Sequence, residues 1–231
     1  MSRRLALLIP VLAFAAVGAC TSERPDPVFV GGEADGDGDT DGDADGDDGV
    51  QCDVEKYPCG PYGHQACDVI EDIRFVPAGE IAEAAAGEDG ILSLSDIYAD
   101  DSVLGILLFG TAGWCGACAA EAVELNAMRA DLQDVDGAGG RIEFVAVVFQ
   151  DDYFAPATRE YAESYGRRYD FEFPTVADSA GDVLYYFDAQ SSPGNVMIDA
   201  TLMRIQRVIQ GFDPAAIVGV LNTLDGSVNC R

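Results

Sequence analysis

Two cysteines separated by two residues stand in the run Gly113-Trp114-Cys115-Gly116-Ala117-Cys118. That spacing lets the second sulfur turn back onto the first, so a partner captured by Cys115 can be displaced by Cys118. The run follows an apolar stretch, residues 103–109, and leads into residues that recur at helical spacing. A sulfur at a helix N-terminus meets unpaired backbone N–H groups and the positive end of the macrodipole. There its pKa falls from about 8.5 to somewhere between roughly 3.5 and 7.5. The chemistry this supports is thiol–disulfide exchange. A structural bridge or half of a zinc site uses the same spacing, but zinc needs a second ligand pair. The sequence has no further CxxC and no HxxxH. No metal and no cofactor are expected.

The elements that must hold this pair alternate along the chain. Residues 72–76 form a short strand candidate, and residues 91–98 read as a loop or turn leading into the strand 103–109. From Cys115 to Leu132, apolar residues at helical spacing predict a helix, closed by the glycine cluster before Arg141. Residues 141–150, with Phe144-Val-Ala-Val-Val-Phe149 at their centre, read as a parallel strand buried on both faces. Helix 155–165, strand 173–177, a brief helix 180–187, a hairpin of 195–199 with 202–210, and a helix 214–224 complete the order. Strand and helix in alternation, then a hairpin and a helix, predict an α/β class with a mixed sheet. Residues 51–231 are enough for one such domain.

The N-terminal 50 residues are of another kind. Arg3 and Arg4 precede a short apolar segment that ends Val17-Gly18-Ala19-Cys20, which resembles a bacterial lipobox. The resemblance implies cleavage before Cys20 and lipid attachment to it. With Thr21 rather than Asp next, it implies an exported lipoprotein anchored to the outer membrane, on the periplasmic face or the cell surface. Residues 21–50 read as a disordered linker, and residues 31–49 carry nine acidic residues among glycines and no core-forming side chain. Asp37, Asp39 and Asp41 approach an EF-hand frame, but a terminal Glu and flanking helices are missing. Of the formal net charge of −28, residues 51–231 carry −20. A surface this acidic argues against nucleic acid and against adsorption to anionic lipid, leaving the lipid anchor as the membrane contact.

Taken together, three further features resemble the thioredoxin superfamily, and within it the exported redoxins of the TlpA/ResA type, over about residues 68–225. Trp114 and the CxxC follow a buried strand. Glu121 falls three residues after the second cysteine. Ser191-Ser192-Pro193 precedes the strand 195–199, preceded in turn by Phe173-Pro174-Thr175-Val176-Ala177-Asp178. The resemblance implies a three-layer α/β/α fold with a central mixed sheet. It makes Cys115 the nucleophile, Cys118 the buried resolving thiol and Trp114 a shield beside the sulfur. It also makes Glu121 the proton carrier for Cys118, and Ser192 with cis-Pro193 the backbone platform for an incoming client. The position of a buried Asp in cytosolic thioredoxin falls on Phe109, and the helix-kinking proline is replaced by Val123. The partners implied are protein thiols and disulfides together with an upstream redox partner, met by a monomer.

Cys52, Cys59, Cys67 and Cys230 remain, and in an exported chain they suggest two structural disulfides with three possible pairings. We expect Cys230 to staple the C-terminal helix to the Cys-rich extension, residues 51–67, ahead of the domain 68–231. His64, the single histidine, reads as a surface residue. Two other functions are open to this sequence. One is a non-enzymatic anchored scaffold with a permanent Cys115–Cys118 bridge. The other is a thiol peroxidase, although Ala112 stands where a peroxidatic cysteine would want Thr three residues before it.

Overall fold

The computed structural model describes residues 56–132 and 140–221. The signal-like segment, the Asp/Gly run, Cys20, Cys52 and Cys230 lie outside the described residues, and with them the expected anchor, tether and Cys230 staple.

Strand β3 (Val103–Ala112) and strand β4 (Arg141–Gln150) are apolar on both faces and buried almost throughout. Such strands need cover on both sides, so they occupy the middle of a sheet. They pair in parallel, with Leu107 opposite Phe144, and the connection between them is the helix α3 (Gly116–Leu132). On the other flank β3 pairs antiparallel with β6 (Gly194–Asp199), which continues into β7 (Arg204–Gln210). Beyond β4 come β5 (Thr175–Ala177), β1 (Arg74–Ala78) and β2 (Leu92–Ser93). The seven strands take the order β2-β1-β5-β4-β3-β6-β7. Helices α1 (Glu80–Ala85), α2 (Leu94–Tyr98), α4 (Arg159–Arg168) and α5 (Pro214–Leu221) complete the three layers.

The pleat of β3 divides its side chains between the two faces. Thr111 Oγ1 meets Tyr165 Oη of α4 at 2.7 Å, while the Phe109 ring meets Phe171 edge-on at 6.5 Å. Gly110 points the other way and packs beneath Phe187, as does Gly194 directly across the β3–β6 pair.

Local elements depart from the sequence reading in four places. Residues 91–98 are not a loop. They form the two-residue strand β2 and one turn of helix α2, closed by a capping box in which Ser93 and Asp96 exchange hydrogen bonds. Helix α1, unforeseen, has no side-chain cap at its Gly79 start. Helix α4 begins at Arg159, four residues later than expected. Ala155 precedes Pro156, which disfavours the helical region there, and Asp151 Oδ1 accepts from the backbone N–H groups of Tyr153 and Ala155. Thr158 then caps α4, its Oγ1 accepting from Tyr161 N–H at 3.2 Å. The stretch 180–187 contains only a 3-10 turn, Asp182–Tyr185.

Residues 67–70 run along the open edge of β7. Cys67 N–H donates to Ile205 O at 2.7 Å, Ile205 N–H to Asp68 O at 2.9 Å, and Ile70 N–H to Met203 O at 2.9 Å. This covers an edge that would otherwise offer unpaired backbone groups. Both Cys59 and Cys67 are disulfide-bonded, and Tyr57 Oη donates to Ile70 O at 3.0 Å, pinning the extension to the domain.

Asp178 ends the β5 segment and accepts three backbone N–H groups: Gly181 and Asp182 at Oδ1, and Val183 at Oδ2. These fix the 3-10 turn that carries the chain toward Pro193. We predict that Asp178→Ala lowers stability by about 2 kcal/mol, since it strands those donors. Asp178→Asn, which keeps an acceptor at Oδ1, should lose less. Urea midpoints of the two variants test this, and equal losses would refute the capping role.

Candidate active site

Parallel pairing brings the C-terminal ends of β3 and β4 to one end of the sheet, and the antiparallel β6 begins at that same end. The CxxC, Gln150 and Pro193 are therefore neighbours by topology. Cys115 is the residue before α3, with its carbonyl accepting the Ala119 N–H at 3.1 Å. Cys115 and Cys118 are joined by a disulfide, with Cα atoms 5.2 Å apart. Cys118 is fully buried and Cys115 is 5% exposed, so only the Cys115 side of the bridge can be approached from solvent. The Cys118 N–H donates to Cys115 Sγ at 3.1 Å. That donor, with the α3 N-terminus, is what would hold a Cys115 thiolate once the bridge is reduced.

Trp114 is half-buried and held twice. Its Nε1–H donates to Gln150 Oε1 at 3.0 Å, and its ring stacks on Phe154 with centroids 5.0 Å apart and planes 21° from parallel. Gln150 also accepts the Gly113 N–H at its carbonyl, 3.0 Å away. One residue at the end of β4 thus fixes both the backbone and the ring ahead of Cys115.

Glu121 lies one turn after Cys118 on the same face of α3 and is fully buried. Asn195 Nδ2 donates to Glu121 Oε1 at 2.8 Å. Asn195 sits opposite Phe109 in the β3–β6 register, so the polar group under the bridge comes from α3 and β6 while β3 contributes an apolar ring. Burial pushes the Glu121 pKa up to about 8, against the opposing effect of the Asn195 amide. Among the described residues no donor reaches Glu121 Oε2 or Asn195 Oδ1. A buried carboxylate oxygen without a donor costs more than its protonated form, which agrees with the raised pKa of Glu121.

The Ser192–Pro193 peptide is cis, and Pro193 is buried. Pro193 O accepts the Gly211 N–H at 2.7 Å. Ser192 N–H turns inward to Ala189 O at 3.3 Å and Ser192 Oγ donates to the same carbonyl at 2.7 Å. The Ser192 N–H is therefore engaged within the chain. Val123 is 61% exposed, and α3 runs through it without a break. Among the described residues no group of three or more His, Cys, Asp or Glu is placed to hold a metal. His64 rests edge-on against Tyr185, ring centroids 4.9 Å apart.

Asn195, Gln150 and Phe154 were missed by sequence reasoning. Asn195 left a signal, as the one amide in β6 and the only polar residue there before the terminal Asp199, and Gln150 left a weaker one at the polar end of β4.

No family model and no curated relative matches the sequence. Among solved structures, the chain is similar to a hypothetical protein from Sinorhizobium meliloti at 19% identity and a TM-score of 0.50, covering 69% of this chain and 85% of that one. It is also similar to a secreted thiol-disulfide isomerase from Corynebacterium glutamicum, with 18% identity, a TM-score of 0.49, and 68% and 84% of the two chains covered. A PrxQ mutant from Xylella fastidiosa gives 16% identity, a TM-score of 0.49, and coverage of 69% and 94%. The strand order, the Cys115–Cys118 bridge at the β3–α3 turn and the cis proline before β6 describe one architecture: this chain has the thioredoxin fold.

Proposed function

We propose that this protein is a thiol–disulfide oxidoreductase whose Cys115–Cys118 pair exchanges with exported protein clients. The observation that carries the reading is the buried Glu121–Asn195 pair one turn below a bridge with only one approachable sulfur. A purely structural disulfide has no use for a carboxyl group held near neutrality beneath it, and such perturbed groups collect at reactive sites.

In the reducing direction the Cys115 thiolate attacks one sulfur of a client disulfide, forming a mixed disulfide and expelling the other client sulfur as a thiolate. Cys118 passes its proton to the Glu121 carboxylate and attacks Cys115 Sγ, releasing the remaining client sulfur. The client gains two electrons, and the dithiol becomes the Cys115–Cys118 disulfide. The oxidising direction is the reverse, with Glu121 returning the proton. The Glu121 carboxyl group, held at about 8, can take the proton from Cys118 and return it. The upstream redox partner sets which direction prevails. Trp114 shields the mixed disulfide, and the Ser192–Pro193 backbone faces the client. Anchoring through a lipid on Cys20, with the acidic run as a spacer, would place this exchange at the outer membrane.

Insulin reduction by the full chain, driven by dithiothreitol, tests the reading. The wild type should accelerate precipitation, and Cys115→Ser should fall to the uncatalysed rate. No acceleration by the wild type, with a bridge that resists dithiothreitol, would replace the reading with that of a scaffold. Peroxide consumption far above the free-thiol rate would replace it with a peroxidase.

A further inference from the structure

Cys115 is nearly covered, so a client must press closely around the sulfur for exchange to occur, and the surface it meets first is aromatic. Phe154 is 63% exposed and Tyr153 87% exposed, both in the turn after β4, and Phe154 stacks on the ring next to Cys115. Phe154 takes a backbone φ of +67°, a region that disfavours bulky side chains and that glycine or asparagine fills readily. The turn itself is built by Asp151, which binds the Tyr153 and Ala155 N–H groups and makes no demand for an aromatic ring. This large apolar residue, mostly in solvent, spends its ring on Trp114 beside the reactive cysteine and not on the core.

We propose that the Trp114–Phe154 stack and the Tyr153 ring form a docking shelf for an extended client segment that carries a bulky apolar side chain beside its cysteine and a net positive charge. This rests on the oxidoreductase reading and deepens it by naming the client. The apolar requirement follows from the shelf. The charge follows from complementarity, since the chain carries −28 overall and the turn bears Asp151 and Asp152, with Arg168 near Asp152 at 3.8 Å as an opposing cation. Aromatic contacts of this kind discriminate by about tenfold in rate.

Two peptides, Lys-Phe-Cys-Ala-Lys and Lys-Ser-Cys-Ala-Lys, each activated as the mixed disulfide with thionitrobenzoate, test the shelf on the reduced full-length protein. Attack by Cys115 on the peptide sulfur expels thionitrobenzoate, whose colour gives the rate. The wild type should prefer the Phe peptide by about tenfold, and Phe154→Gly should bring that ratio to about one. Being a ratio, it is unaffected by any change in the reactivity of Cys115 itself. Glycine accepts this φ, so Phe154→Gly should remain folded, which its thermal unfolding checks, and Phe154→Asn serves as a second variant on the same ground. In a second arm, the Phe peptide with Ser in place of Cys is titrated into the oxidised protein while the emission of Trp114, the single tryptophan, is followed. A saturable change that is lost in Phe154→Gly supports the shelf. Exchange without preference, and no change in emission, would overturn the shelf and leave the oxidoreductase reading intact. Saturable binding without any exchange would do the opposite.

Discussion

Glu121→Gln will slow release of the client from its mixed disulfide by about a hundredfold, the scale of a lost general base. It will leave the first attack by Cys115 near the wild-type rate, because that step draws on the α3 N-terminus and the Cys118 N–H. The pH profile separates this from a structural defect. In the wild type, release should rise as pH climbs through about 8, where Glu121 loses its proton and becomes able to take that of Cys118. In Glu121→Gln the rise through about 8 should be absent. Stopped-flow fluorescence of Trp114 reads both steps. A variant with the wild-type release rate and pH profile would remove Glu121 from the mechanism.

The same group ties stability to pH. Its folded pKa, about 8, lies above its ordinary value of 4.5, so between these limits the folded state holds a proton that the unfolded state gives up. Stability from this source is complete below about 4.5, declines as pH rises by at most about 1.4 kcal/mol per unit, and is gone above about 8. Glutamine has no such proton to lose and keeps the amide contact to Asn195. Glu121→Gln should therefore match the wild type near pH 4 and exceed it near pH 9. Asp178 and Glu143 are also lifted by burial, so the test is the difference between variant and wild type in urea midpoint, in which their contributions cancel.

How much of this was legible in the chain depends on whether the signal was local. The strands β3 and β4 and helix α3 carry their own patterns, and the CxxC sits at a fixed offset from them. The class, the sheet and the position of the bridge therefore followed from the sequence. Glu121 was picked out by its spacing from Cys118, but its partner Asn195 is 74 residues away and is delivered by the β3–β6 register, which no local pattern encodes. The start of α4 was misplaced because a single side chain, Asp151, diverts the backbone before Thr158 can cap it. Phe154 went unseen for the same reason, since its exposure and its stacking exist only once that turn has formed. The six residues of α1 have neither a cap nor the length to announce a helix. The inward turn of the Ser192 N–H belongs to the 3-10 turn Ala189–Ser191, which is likewise invisible in composition.

Gly194→Ala is expected to be the costliest single-methyl change in the domain. Gly194 and Gly110 face each other across the β3–β6 pair, and a Cβ on either would overlap the ring of Phe187. That ring is 4% exposed and packs against Phe149, so it has no open side into which to retreat. Overpacking of this kind costs about 3 kcal/mol when the obstacle is a buried ring. The strain also falls one residue after Pro193, whose carbonyl is fixed by the Gly211 N–H, so the client platform should shift with it. A double-mutant cycle isolates the cause. Phe187→Ala alone should cost about 3 to 5 kcal/mol through the cavity it leaves. Combined with Gly194→Ala it should cost clearly less than the sum of the two, because the added methyl then occupies vacated space. Strict additivity in urea unfolding, or a Gly194→Ala protein within about 0.5 kcal/mol of wild type, would mean that the Phe187 ring yields and the glycines are not required beneath it.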